Sequence, residues 1–395
     1  MPEMRQAWID FCDELKGAVD YVFAPDQVAG SSVDQAEGVR HVLRSLIKAS
    51  LNTFENADAH YPELGWFHPN KMGLDNPDAF YQSAPLDLHL SYELSGNLGS
   101  ASYLGIALMS MEWGSGAVEL LLSVNAAELK ADEHGDFLVT FSPHPDPGDT
   151  GHPWFQLPEK RTSLLVRQFL SDWDNEEVAH LSLRCVDPDE VQSRISPDEL
   201  VGKLGRVAAE VNRVPQHWND FFRQHIERGE VNSFDHVATA PADDVGALGG
   251  STEQHYAECW FEIGSSDALL VEVEIPDCVY WNVQLGDIWG QSSDWVNRQT
   301  SLNDAQAMRD AGVLRVVLSH TDPGYANWLD LGGLSQGLIV FRFNQSDVNP
   351  VPRARLLPLA ELPAAMPPSE PTVTPTERAE ILAGRRRAAL RRFMR

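Results

Sequence analysis

The sequence predicts a mainly β protein with helical additions (α+β): N-terminal helices plus an antiparallel sheet, then a jelly-roll-like C-terminal β-sandwich. Three observations carry that expectation. Apolar residues keep helical spacing over roughly the first 60 positions and then alternate with polar ones from Leu86 onward. The strand-like segments of the C-terminal half are separated by turns such as IPDC and DPG, with no helix of crossover length between them. And 395 residues, 43% of them hydrophobic, suffice for two domains of ordinary size.

The elements follow in order. Trp8, Phe11, Cys12, Leu15, Val19, Val22 and Phe23 make one helical stripe, and Val39, Val42, Leu43, Leu46, Ile47 and Phe54 a second, with Ser32 or Asp34 as its cap. Leu86, Leu88, Leu90, Tyr92 and Leu94 alternate with polar residues as in a half-buried strand. SASYLGIALMSMEW, VELLLSV and DFLVTFS continue the sheet, antiparallel on the simplest account. Ser196-Pro-Asp-Glu199 starts a helix to about Asn212, which Pro215 interrupts before a shorter one through Trp218 and Ile226. TAPADDVGALGGST, 239–252, reads as a linker. AECWFEI, ALLVEVEI, VYWNVQL, VLRVVLSH and GLIVFRF are the strands of the sandwich. The domains are therefore 1–238, 253–346, and a 347–395 segment that is Pro-rich and ends in a basic helix.

The net charge of -28 is unevenly spread. Residues 378–395 hold seven arginines against Glu380, whereas the body before them carries 23 basic and 57 acidic side chains. An acidic body argues against nucleic acid as a partner. No apolar run approaches the roughly 18–20 residues that span a bilayer, so no membrane is expected. The acid-bearing start does not read as a secretory signal, and the expected location is cytoplasmic. Cys12, Cys185, Cys259 and Cys278 lie far apart without ligand spacing, so no metal and no cofactor are expected.

The chemistry concentrates in Tyr280–Asn303, which holds three tryptophans and six Asn or Gln but no Lys, Glu or Pro. In YWNVQL, Tyr280, Asn282 and Gln284 share one strand face and Trp281, Val283 and Leu285 the other. Neutral amides beside a phenol suit hydroxyl, amide or carbonyl ligands. Beyond Gly286 the chain offers Asp287, Trp289, Asp294, Trp295, Asn297, Arg298, Gln299 and Asn303. A second segment, SHTDPGYANWLDLGG, supplies His320, Asp322, Asn327, Trp328 and Asp330. Asp330, Asp322, Asp294 and His320 are the acid/base candidates. Tyr280, Asn282, Gln284, Trp289, Asn297, Arg298, Gln299, Asn327 and Trp328 are the ligand-binding candidates, expected to converge on one cavity.

These two segments, with ALLVEVEIP before and GLIVFRF after, resemble the bacterial domain-of-unknown-function family numbered twelve-fourteen over about 255–345. DNPDAFYQSAPLD and VRQFLSDWD look like its longer members. The resemblance implies a β-sandwich and no reaction. The reading reached from the residues is a small-molecule pocket protein, an enzyme using carboxylate acid/base chemistry on a polyhydroxylated, carbohydrate-like substrate, as a hydrolase or lyase would. Its alternatives are a non-catalytic ligand-binding protein and an oligomeric structural or partner-docking protein. The tail from Thr376, with Ile381, Leu382, Ala389, Leu390 and Phe393 as an apolar stripe, should dock on acidic surface of its own chain or, as a homo-oligomer, of a second copy.

Overall fold

Two β-sandwiches with one strand order account for most of the chain, in a computed structural model that describes residues 2–24, 31–55, 58–66, 71–112, 117–160, 162–186, 195–239, 253–310 and 312–392. The first contains β1 (Gly65–Trp66), β2 (Ala79–Leu86), β3 (Tyr92–Asn97), β4 (Tyr103–Glu112), β5 (Ala117–Asn125), β6 (Asp136–Ser142), β7 (Trp154–Gln156), β8 (Thr162–Phe169) and β9 (His180–Cys185). The second contains β10 (Gln254–Glu262), β11 (Asp267–Glu274), β12 (Tyr280–Gly286), β13 (Ser301–Asn303), β14 (Val313–Ser319), β15 (Trp328–Asp330), β16 (Gln336–Asn344) and β17 (Arg353–Pro358).

The sheet orders are β1-β2-β8-β4-β5 with β7-β6-β3-β9, and β10-β16-β12-β13 with β15-β14-β11-β17. Adding eight to each label from β2 to β9 turns the first pair into the second. The agreement reaches single rungs. Ala79, Phe169 and Tyr103 stand side by side where Gln254, Asn344 and Tyr280 stand in the other sandwich. Tyr81 opposes Arg167 as Tyr256 opposes Arg342. Gly105 opposes Asn125 as Asn282 opposes Asn303. Each sandwich carries one short parallel pair closed by a tryptophan, Trp154 on β7 and Trp328 on β15; the other pairings are antiparallel, as strand patterning implied.

Alternation fills both cores. Leu94, Val139 and Phe141 meet Ile106, Leu108, Leu164 and Val166 in the first. Leu269, Val271, Val316 and Leu318 meet Val283, Leu285, Ile339 and Phe341 in the second. Every residue of β12 is buried, because its second face is covered as well.

Three helices pack beside the second sandwich. They are α1 (Pro2–Val22), α2 (Ser32–Ser50) and α3 (Pro197–Glu227), and they bury Val42, Val207, Val211 and Trp218 with Trp260, Leu338 and Val340. Ser31 caps α2 and Ser196 caps α3. The expected break at Pro215 is absent: α3 runs through it, and Val214 and Trp218 on either side are anchored in the same apolar layer. Within the Pro-rich segment, β17 completes the second sandwich by pairing with β11. The short α4 (Leu362–Ala365) lays Leu362 on Ala268 and Val317. The expected linker lies, from 240 to 252, outside the described residues. The chain's last described element is α5 (Pro375–Arg392), closed at its start by a Thr374–Glu377 capping box.

Candidate functional site

The two sandwiches meet through a polar seam, and the polar face of β12 forms its centre. Asp78, just ahead of β2, is fully buried and accepts four side-chain hydrogen bonds. They come from Tyr280 Oη at 2.6 Å, Trp173 Nε1 at 2.7 Å, Asn303 Nδ2 at 3.0 Å and Asn282 Nδ2 at 3.3 Å. Asn76 joins in, accepting from Asn282 Nδ2 at 2.6 Å. Gln284 donates to the Asp75 carbonyl, and its Oε1 accepts from Arg342. Such a carboxylate is tolerable in a dry interior because every donor is aimed at it. Burial first, and then the charge of Asp78, push the Tyr280 phenol well above its usual pKa, so Tyr280 stays a donor.

The repeat supplies a second hub with the partners exchanged. Glu253 precedes β10 as Asp78 precedes β2. It accepts from Tyr103 Oη at 2.6 Å and Asn125 Nδ2 at 3.3 Å. Thus each sandwich lends its carboxylate to the Tyr and Asn of the other. The two asparagines also do one local job: Asn125 Oδ1 caps Ala127 N and Glu128 N, and Asn303 Oδ1 caps Ala305 N and Gln306 N. Phe169 stacks on Tyr103 and packs against Tyr280, with both centroid distances 4.9 Å, and stitches the hubs together.

Only Asp78 has α5 behind it. Arg378, Arg385 and Arg392 recur every seven residues, so they share a helix face, and all three are buried. Arg378 donates to Asp322, Gln299 and the Ala326 carbonyl. Arg385 donates to Gln306, Ser301 and the Trp295 carbonyl. Arg392 donates to the Pro77 carbonyl. The guanidiniums of Arg392 and Arg385 lie 3.9 and 4.4 Å from the Trp173 ring centroid. Burial lowers Arg385 to about 10 and Arg392 to about 9, and the charge of Asp78 offsets part of that. The tail therefore docks on its own chain, but through backbone carbonyls and indole faces as much as through acids. Beside this contact opens a cavity of about 70 Å³, lined by Phe80, Trp173, Glu177, His180, Arg391 and Arg392 among others.

The sequence-derived candidates fall in three places rather than in one cavity. Tyr280, Asn282 and Gln284 are in the seam. Trp289 points to the helices, where its Nε1 donates to the Asp34 carbonyl and its ring lies against Gly38; a Cβ there would come within 2.6 Å of it. Asp287 sits on that side too, holding Trp289 N and Gln291 N. The remaining candidates lie in two loops that do run side by side under α5. Arg298 pairs with Asp330 at 2.7 Å, and Gln299 donates to the carbonyls of Ala326 and Trp328. Asp294 binds Asn297, and Asn327 binds the carbonyls of Met308 and Arg315. His320 reaches the Ile263 carbonyl at 3.4 Å. Asp322 closes its turn on Gly324 N at 2.9 Å as Asp146 does on Gly148 N at 2.8 Å in the other sandwich. A role that appears twice at matching places is the work of a turn residue. Asp75, Asn76, Asp78 and Trp173 were missed as site residues, and Asn303, seen in the loop beyond Gly286, was not among the ligand-binding candidates. Their signals were the DNPD run, the amide at the end of SLN, and the seven-residue spacing of the arginines.

Fold and site together define a class: tandem β-sandwiches of one strand order, flanked by helices and joined by exchanged carboxylates. A crystal structure of an uncharacterized protein from Burkholderia cenocepacia matches this chain with TM-score 0.83 and 29% identity, covering 90% of this chain and 97% of that one. The VPA0106 protein from Vibrio parahaemolyticus matches with TM-score 0.47 and 15% identity, over 82% of this chain and 100% of that one. No family model and no curated protein matches.

Proposed function

We propose that the protein binds a small hydroxylated, carbohydrate-like molecule in the cavity at Trp173. The observation that supports this reading is the pairing of an indole and two guanidiniums with a rim carboxylate and imidazole, Glu177 and His180, directly in front of the Asp78 hub. The volume is several times what one water needs. An aromatic wall flanked by charged and polar groups is what a polyol or sugar edge requires. Acid/base turnover by a hydrolase or lyase is the extended form of the proposal. Its groups would be Glu177 and His180, since Asp294, Asp322 and Asp330 are committed to Asn297, Arg378 and Arg298. Kinship with the family numbered twelve-fourteen is proposed with it, on WNVQLGDIW and DPGYANWLDLGG.

A panel of polyols and monosaccharides screened by thermal shift tests the binding. One or more should raise Tm, and Glu177→Gln and His180→Ala, both at exposed positions, should reduce that shift without lowering the ligand-free Tm. No shift from any compound, or full shifts in both variants, removes the reading. Product formation from the bound compound separates turnover from simple binding.

An oligomer through α5 is a second proposal, restricted to its outer face, where Ile381, Arg386, Arg387 and Leu390 are exposed. A mass measurement in solution that returns one copy with and without Arg386→Glu removes it.

A further inference from the structure

Among the described residues a separate cluster of ligand-type side chains stands on the far side of the second sandwich from α5. His225 is in the last turn of α3, Glu230 in the turn that follows, His236 in the single helical turn Asp235–Thr239, and Glu258 on β10. Their backbones are fixed. Glu230 N donates to the His225 carbonyl, and Asn232 N to the Trp260 carbonyl. The Asn232 side chain both donates to and accepts from the Glu262 backbone. Phe234 and Val237 anchor the helical turn in the sandwich core.

The side chains converge. His225 Nδ1 lies 2.5 Å from Glu230 Oε2, and His236 Nε2 lies 3.9 Å from the same oxygen. The three ligand atoms all fall within 4.8 Å of one another. His225 Nε2 faces Glu258 Oε1 at 3.4 Å. Arg228 approaches only the other oxygen of Glu230, at 4.0 Å.

We propose that His225 Nδ1, His236 Nε2 and Glu230 Oε2 bind one divalent cation of the zinc class, with Glu258 behind His225. Ligand atoms on a tetrahedral zinc are about 3.4 Å apart, given bonds near 2.1 Å. Side-chain rotation takes the observed 2.5 and 3.9 Å spacings there, because the cation replaces the proton shared by His225 and Glu230. Two imidazoles and one carboxylate select zinc, cobalt or nickel over magnesium or calcium, which prefer all-oxygen sites. Glu258 takes the remaining N–H of His225, fixes its tautomer and raises its basicity, the arrangement metal-bound histidines favour. The bound ion would tie the end of α3 to β10. The assignment does not depend on the cavity at Trp173.

The test uses the full chain without a histidine tag, stripped with EDTA. Titration with Zn²⁺ by calorimetry, and with Co²⁺ by its visible absorption, should give one equivalent. His236→Ala and His236→Gln should each weaken binding at least tenfold, and Glu258→Gln about 10–100-fold. Circular dichroism in EDTA checks that the variants are folded, and the two His236 variants guard against one failing to fold. Less than one equivalent bound by the wild type overturns the assignment. So does wild-type affinity in either folded His236 variant.

Discussion

Glu253 and Asp78 hold the same place in their sandwiches and receive the same pair of partners, a tyrosine and an asparagine from the opposite one. Their surroundings differ. Glu253 is half-buried, whereas Asp78 has no exposure and gains Trp173 and Asn282 as further donors. Val348 and Gly105 stand at the corresponding positions of the other sandwich. The difference teaches that the repeated backbone sets where a carboxylate will be, while side chains at matched positions, Trp173 for Val348 and Asn282 for Gly105, together with an element outside the repeat, decide what kind of site it becomes. Here the addition is α5, which brings Arg385 and Arg392 onto Trp173.

The largest effect should come from removing that addition. A chain ending before Thr374 loses three buried arginines and uncovers Trp173 and Trp295, for a loss on the order of 5 kcal/mol or more. Thermal melting that matches the full chain would show that α5 holds nothing. Next, Asp78→Asn should cost about 3 kcal/mol and Glu253→Gln about 1 kcal/mol in urea denaturation. Equal costs would erase the contrast between the hubs.

Asp287 sharpens the comparison as a buried carboxylate outside it, placed against the helices. Burial raises its pKa to about 6, although backbone and side-chain donors from Gln291 and Trp289 pull the other way. The unfolded value is near 3.9. Between about pH 4 and 6 the folded state then holds more protons, so this group's contribution to stability grows as pH falls through that window and is lost as pH rises. Asp287→Asn should flatten the profile there, removing a slope worth about 3 kcal/mol in total. A variant whose stability between pH 4 and 6 tracks the wild type would place the titration elsewhere. The smallest difference should lie in the caps. Asn125→Ala should cost about 1 kcal/mol and Asn303→Ala about 2 kcal/mol, the excess coming from Asn303's buried 3.0 Å bonds to Asp78 and the Ser171 carbonyl, against Asn125's part-buried 3.3 Å bond to Glu253.

Much of this is legible in the sequence. Period-two alternation gave most of the strands but read Leu86–Leu94 as one, whereas β2 ends at Leu86 and β3 begins at Tyr92 across a turn. Ser196 marked the start of α3, and α2 is capped by Ser31 rather than by the expected Ser32 or Asp34. The buried polar face of Tyr280, Asn282 and Gln284 was visible as a face, but not what covers it. Its partners Asn76 and Asp78 are some 200 positions away, and pairing at that distance leaves no periodic trace. The aspartates of the loops looked catalytic because turn closure and acid/base chemistry use the same side chain. The repeat itself was written in the sequence, with SPHPDPG before Trp154 and SHTDPG before Trp328, and Ser-Asp after both β8 and β16. Single-element reading passes over such a match because each half is an ordinary turn.

The exchange of carboxylates has a consequence for synthesis. The first sandwich leaves the ribosome with Tyr103 and Asn125 in place while Glu253 is still to be made, and Asp78 waits for Tyr280 and Asn303, 202 and 225 positions downstream. Contacts this distant in sequence close late, after the loop entropy between them has been overcome. Until then the first sandwich holds both an unfilled Tyr103–Asn125 pair and the Asp78 carboxylate without its tyrosine and asparagine, so neither hub is complete before the second sandwich has folded against the first.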